Sequence, residues 1–114
     1  MQRTSGLWYS AEYSTFSISD EIGKYRLTVA GYSGDAGDAM AAARYSWYNA
    51  NGMMFSTPDS DNDKSPGSCG GGDFGHGWWF NWCSTSVINY VDIGIWTTGI
   101  EISDIQASRM LVKA

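Results

Sequence analysis

The chain has 114 residues, 43% of them hydrophobic and 17% charged, which bounds it to one globular domain and excludes a disordered composition. Its net charge is −5 and its only dense charge run, Asp59 to Asp63, is acidic, so nucleic acid is excluded as a partner for want of a basic stripe. No stretch is long and apolar enough to span a bilayer, and Met1 to Tyr9 lacks the cationic start and apolar run of a signal peptide.

Six Trp, seven Tyr and four Phe against fourteen Gly and two Pro predict a loop-rich fold pinned by aromatic rings rather than a helical bundle. Gly6 to Phe16 reads as a strand, because aromatic and β-branched residues fit a pleated, half-buried surface. Tyr25 to Tyr32 alternates at Tyr25, Leu27 and Val29 and reads as a second strand, with Asp20 to Lys24 as the turn between them. Asp35 to Asn49 is the one helical window, with Asp35 or Asp38 as cap, an alanine-rich middle and Gly52 as the stop. Met53 to Thr57 reads as a short strand ended by Pro58.

Pro58 to Gly77 has no hydrophobic period and reads as a long functional loop. Trp78 to Cys83 reads as core, with Trp78 and Trp79 as packing residues. Ile93 to Trp96, Ile100 to Ile105 and Met110 to Val112 read as closing strands.

The sharpest chemistry lies in Asp59-Ser60-Asp61-Asn62-Asp63. Carboxylates two residues apart converge on one hard cation when the loop curls; the competing reading is a solvated acidic turn. An EF-hand is excluded, since Lys64 stands at the sixth loop position and Gly70 at the twelfth. Cys69 and Cys83 are compatible with one disulfide or with two buried thiols; a bridge would contribute about 3 kcal/mol. His76 is the only histidine, which argues against a zinc site, and it reads as an exposed loop residue. Ser68, His76 and Asp73 lack the nucleophile elbow of a hydrolase triad, and Cys83 has no evident base, so the sequence does not read as an enzyme.

Several ordered motifs together resemble the fibrinogen C-terminal (fibrinogen-related) domain family. They are Tyr13 to Glu21, Lys24-Tyr25-Arg26-Leu27, Gly31-Tyr32-Ser33-Gly34-Asp35-Ala36-Gly37-Asp38, and Asn51-Gly52-Met53-Met54-Phe55-Ser56-Thr57 with the acidic run after it. Cys69 followed by Gly77-Trp78-Trp79-Phe80-Asn81-Trp82-Cys83 and the terminal Asp92, Trp96 and Met110 complete the pattern. The resemblance covers nearly all of residues 7 to 113 and matches the C-terminal half of the family domain, so residues 1–114 are expected to form a single partial domain without the family's N-terminal half.

It implies an α+β fold with short antiparallel strands, one or two short helices and a long loop stapled by calcium and a disulfide. Carried over to this sequence, the Ca2+ ligands are the carboxylates of Asp61 and Asp63 and the carbonyls of Ser65 and Gly67, with Asp59 helping indirectly. The disulfide maps to Cys69 and Cys83, and the Trp82–Cys83 peptide to a cis bond. Lectin-like members such as ficolins and tachylectins bind acetyl groups there, which maps to backbone donors at Cys83 and Ser84 and to aromatic walls at Phe74 and Tyr90. Ser84 replaces the His usual in those lectins, and the stretch after Tyr90 is shortened.

The function this implies is a secreted, extracellular, calcium-dependent recognition module for acetylated glycans, of innate-immune type. The alternatives are a protein-interaction module of the fibrinogen or angiopoietin-like kind and an inactive fragment. Oligomers are expected only through regions outside these 114 residues.

Overall fold

A computed structural model of the protein describes residues 1–73, 75–89, 94–97 and 101–113. Among them the strands are β1 (Gln2–Arg3), β2 (Ala11–Ile18), β3 (Leu27–Gly34), β4 (Ser86–Val87), β5 (Gly94–Thr97) and β6 (Glu101–Ala107). They form mostly antiparallel structure with very little helix.

β2 and β3 make a two-stranded ribbon in register from Ala11 opposite Gly34 to Ile18 opposite Leu27. The expected turn is present. Asp20 Oδ1 accepts the Gly23 N–H at 2.9 Å, and Lys24 and Tyr25 take left-handed φ values of 56° and 53°. The open end of the ribbon is closed at Gly34, with φ of 126°. A side chain there would strike the Ser10 carbonyl, which accepts the N–H groups of Asp35 and Ala36, both at 3.0 Å.

The second sheet has the order β1-β6-β5-β4, antiparallel throughout. It joins residues near the two ends of the sequence, pairing Gln2 with Ala107 and Arg3 with Ile105. β1 and β4 had no signal in the sequence because two residues are too few to show a period.

The helix expected over 35–49 is not formed. Its only regular piece is a 3-10 turn at Ser46–Tyr48. Asp38 does begin a helical turn, with its Oδ1 accepting the Ala41 N–H at 3.0 Å and its carbonyl the Ala42 N–H at 3.1 Å. Then the Met40 carbonyl, which a helix would give to Arg44, accepts from Ala50 and Asn51, both at 2.9 Å. Asn49 Oδ1 takes the Ala43 N–H at 2.8 Å, so that a side chain displaces the helical ladder. Nor is Met53 to Thr57 a strand. It makes single bridges only, Ser56 with Trp78 and Thr57 with Ser60. Met110 to Val112 forms no strand and is exposed.

The core lies between the ribbon and the second sheet. Leu27 and Val29 from β3 meet Met40, Trp78, Phe80, Val87, Trp96 and Ile105. Indole groups tie the layers together: Trp96 Nε1 donates to the Gly37 carbonyl at 2.9 Å, and Trp79 Nε1 to the Tyr25 carbonyl at 2.8 Å. Tyr13 Oη donates to Asp38 Oδ1 at 2.7 Å, and burial together with that bond pushes the phenol's pKa up. The aromatic run expected as core is divided. Trp78 and Phe80 are buried, whereas Trp82 is 53% exposed.

This division is testable by urea or thermal unfolding. Phe80→Ala should cost about 3–5 kcal/mol through lost burial and a cavity. Trp82→Ala should change stability by no more than about 0.5 kcal/mol. Equal losses would show that the core is wrongly drawn.

Candidate cation loop and recognition face

The long loop leaves and re-enters the fold at one place. Ser56 N–H donates to the Trp78 carbonyl at 2.9 Å and Trp78 N–H to the Ser56 carbonyl at 3.0 Å. Inside it, Asn62 is the anchor. Its N–H donates to Ser56 Oγ and its Nδ2 to the Phe55 carbonyl, both at 2.9 Å, while its Oδ1 accepts from Lys24 Nζ at 2.8 Å. Sequence reasoning missed this role because an Asn between two Asp carries no distinguishing pattern.

From Asp61 onward the loop curls through side chains that accept the N–H two residues ahead. Asp61 Oδ1 accepts from Asp63 at 3.2 Å, Asp63 Oδ1 from Ser65 at 2.9 Å, and Ser65 Oγ from Gly67 at 3.2 Å. Asp63 Oδ2 reaches further and accepts the Cys69 N–H at 2.8 Å. Burial, joined by the hydrogen bond and charge of Asp61, raises the Asp63 carboxyl above the ordinary carboxylate pKa, although the N–H groups of Cys69 and Ser65 pull it down. Asp59 sits apart at the loop entrance and accepts from Thr57 Oγ1 at 2.7 Å.

The curl therefore brings two of the predicted carboxylates together and places Ser65 and Gly67 just beyond them. Among the described residues no hydrogen bond is donated to the Ser65 or Gly67 carbonyl, so both keep their lone pairs. The donor set is all oxygen, which suits calcium rather than a soft metal. Among the described residues no group of three or more His, Cys, Asp or Glu gathers, so a cation here would rely on carbonyls and water besides the two carboxylates.

Cys69 and Cys83 form the disulfide that the family resemblance implies, with Cα atoms 5.4 Å apart. The bridge joins the loop to the turn at Asn81–Cys83. Lys64 N–H donates to the Asn81 carbonyl at 3.0 Å, and Cys83 N–H to Cys69 Sγ at 3.2 Å. The Trp82–Cys83 peptide is trans, not the expected cis. The backbone reverses instead through Cys83, whose φ is 48°, and through the Asn81 N–H bond to the Cys83 carbonyl at 2.8 Å.

Of the expected acetyl pocket, Phe74 and Tyr90 lie outside the described residues. Ser84 is buried, its hydroxyl 3.1 Å from Ser86 Oγ and accepting the Ser86 N–H at 3.1 Å. His76 is half-buried rather than exposed, its ring edge-on to Phe80 at 6.1 Å.

Beside this turn lies an aromatic surface that no sequence signal marked. Trp82 N–H donates to the Trp47 carbonyl at 3.0 Å, and Tyr45 stacks on Trp47 with centroids 4.8 Å apart. The Arg44 guanidinium lies 5.4 Å over the Tyr45 ring. Asn81 Nδ2 holds this segment through the carbonyls of Ser46 and Asn49 at 3.4 and 3.1 Å.

This geometry agrees with what the protein resembles. Residues 1–104 match the family model for the C-terminal globular domain of the fibrinogen beta and gamma chains. The human fibrinogen gamma chain is 41% identical over an alignment of 95 positions that covers 76% of this sequence and 21% of that protein. Human fibroleukin is 39% identical over 85 residues, which make up 75% of this sequence and 19% of that protein. Among solved structures, the fibrinogen-like globe domain of human ANGPTL2 superposes with a TM-score of 0.69 at 35% identity, over 87% of this molecule and 40% of that one. A lamprey fibrin D-dimer, complexed with the peptide Gly-His-Arg-Pro-amide, superposes with a TM-score of 0.72 at 32% identity, over 90% of this molecule and 35% of that one. The 114 residues thus span about a fifth of those two relatives and about two fifths of the globe, and the chain belongs to the fibrinogen C-terminal domain family.

Proposed function

We propose that the protein is an extracellular protein- or peptide-binding module in which calcium orders the Pro58–Gly77 loop. One observation carries the reading: the acidic curl and the Asn81–Cys83 turn are fastened together by the Lys64–Asn81 bond, the Asp63–Cys69 bond and the disulfide. A cation held by Asp61, Asp63 and the carbonyls of Ser65 and Gly67 would offset the repulsion of the paired carboxylates. It would thereby stiffen the turn that carries exposed Trp82. Exposed Trp, Tyr and Arg are the side chains that anchor protein partners, and Trp82, Trp47, Tyr45 and Arg44 stand together there. The disulfide supports an oxidising, extracellular setting.

A protein or peptide partner is favoured over an acetylated glycan. The Cys83 N–H, one of the donors an acetyl oxygen would need, is already given to Cys69 Sγ. The lamprey relative's peptide complex supports the same choice.

Two measurements test this reading. Thermal melts in calcium and in chelator should differ, by about 2.7 kcal/mol when calcium stands at a hundred times its Kd. Asp63→Asn should abolish the difference, and Asp59→Asn should leave it. A calcium-blind melt of the unaltered protein, or an unchanged shift in Asp63→Asn, would remove the cation site.

Separately, Gly-His-Arg-Pro-amide immobilised on a sensor should capture the protein in calcium but not in chelator. N-acetylglucosamine should fail to compete. Release by N-acetylglucosamine would return the acetylated-glycan reading to first place.

A further inference from the structure

We infer that Lys24, on the turn between β2 and β3, is a positioning residue for the cation loop, and that through Asn62 it couples the ribbon turn to the acidic curl. The inference rests on the reading of that loop as a calcium site. Lys24 and Tyr25 are consecutive non-glycine residues with φ of 56° and 53°, a backbone conformation that is costly for such residues and persists only where the surroundings fix it. Here it turns two successive carbonyls toward the two ends of the loop. The Lys24 carbonyl accepts the Phe55 N–H at 3.0 Å, and the Tyr25 carbonyl accepts Trp79 Nε1 at 2.8 Å. Phe55 and Trp79 flank the Ser56–Trp78 pair that closes the loop.

The Lys24 side chain reaches past that closure into the acidic run. Its Nζ donates to Asn62 Oδ1 at 2.8 Å, Asn62 Nδ2 donates to the Phe55 carbonyl at 2.9 Å, and the Phe55 N–H returns to the Lys24 carbonyl. The turn, the loop entrance and the acidic run thus close a ring of three hydrogen bonds. Asn62 stands between Asp61 and Asp63, whose carboxylates accept instead from the Asp63, Ser65 and Cys69 N–H groups of the curl. Holding Asn62 therefore holds the stretch of backbone from which both carboxylates project.

Position and charge make opposite demands on Lys24. A loop held in place before binding loses less freedom when a cation arrives, so the ring favours calcium. An ammonium near the site repels a dication, so its charge alone opposes calcium. The bond goes to a neutral amide and Lys24 is exposed, where water and salt screen its charge, so position prevails. Coupling of this kind is reciprocal: if the ring strengthens calcium binding, calcium strengthens the ring by the same factor.

The test is a calorimetric titration with calcium of the unaltered protein and two variants, joined to amide exchange. Lys24→Met keeps the apolar stem and loses the donor, and should weaken calcium binding about three- to tenfold, the worth of one hydrogen bond. Lys24→Arg keeps a donor and should recover most of the loss. In the unaltered protein calcium should slow exchange at the Phe55 amide as well as at Ser65 and Cys69. In Lys24→Met the slowing at Phe55 should disappear while that at Ser65 and Cys69 remains. Unchanged or tighter binding by Lys24→Met overturns the proposal and leaves calcium in the loop. No uptake by the unaltered protein removes the cation reading, and this proposal with it. Exchange in the unaltered protein decides the coupling even where the variant folds poorly, because a Phe55 amide indifferent to bound calcium also overturns it.

Discussion

The backbone pair between Ser56 and Trp78 is the constraint on which the rest of the structure depends. It closes a loop of twenty-one residues, 57–77, and leaves both strand-like ends in register with the core. Ser56 is fully buried, and its hydroxyl takes the Asn62 N–H, so the same residue that closes the loop also sets the position from which the acidic curl begins. Two residues past Trp78, Phe80 enters the core, and three further on Cys83 meets Cys69. Without the Ser56–Trp78 pair the loop would lose the closure at its base and rest on the disulfide and its own hydrogen bonds alone.

The disulfide acts on the same loop from the other side. Its half-cystine Cys69 is held twice over, by the sulfur bridge and by its N–H bond to Asp63. A carboxylate fixed by a covalently tethered amide cannot swing freely into solvent. This is why Asp63 keeps its place against Asp61 despite the repulsion that helps raise its proton affinity. The charges are pre-arranged by backbone amides, and a cation would find the arrangement largely made.

What was legible in the sequence was what short-range chemistry decides. β2 and β3 were readable from alternating aromatic and apolar residues, and the turn between them from Asp20 and Gly23. The cysteine pair and the alternating Asp61 and Asp63 marked the loop, while the ordered family motifs supplied the fold. The failures lie where distant partners outbid local preference. Ala39 to Arg44 has good helix propensity, but Ala50 and Asn51 claim the Met40 carbonyl and the helix stops. The Trp82–Cys83 bond was expected cis, yet a left-handed Cys83 achieves the reversal with a trans bond. The exposed stack of Tyr45 on Trp47 follows from folding back onto the Asn81–Cys83 turn, a contact that no spacing in the sequence encodes.

Trp78 links the two surfaces of this half-globe through different atoms. Its backbone pairs with Ser56 and so fixes the loop that carries the acidic curl. Its side chain lines the cavity along β2 and keeps an unanswered donor there. The backbone role is satisfied within the molecule and needs no partner. The side-chain role is not, and the asymmetry has a physical consequence. The loop and disulfide can hold their geometry with the cavity empty, because their hydrogen bonds close locally. Trp78 Nε1, by contrast, is buried without an acceptor. The loop and the disulfide are therefore the part of the fold whose hydrogen bonds close among the described residues.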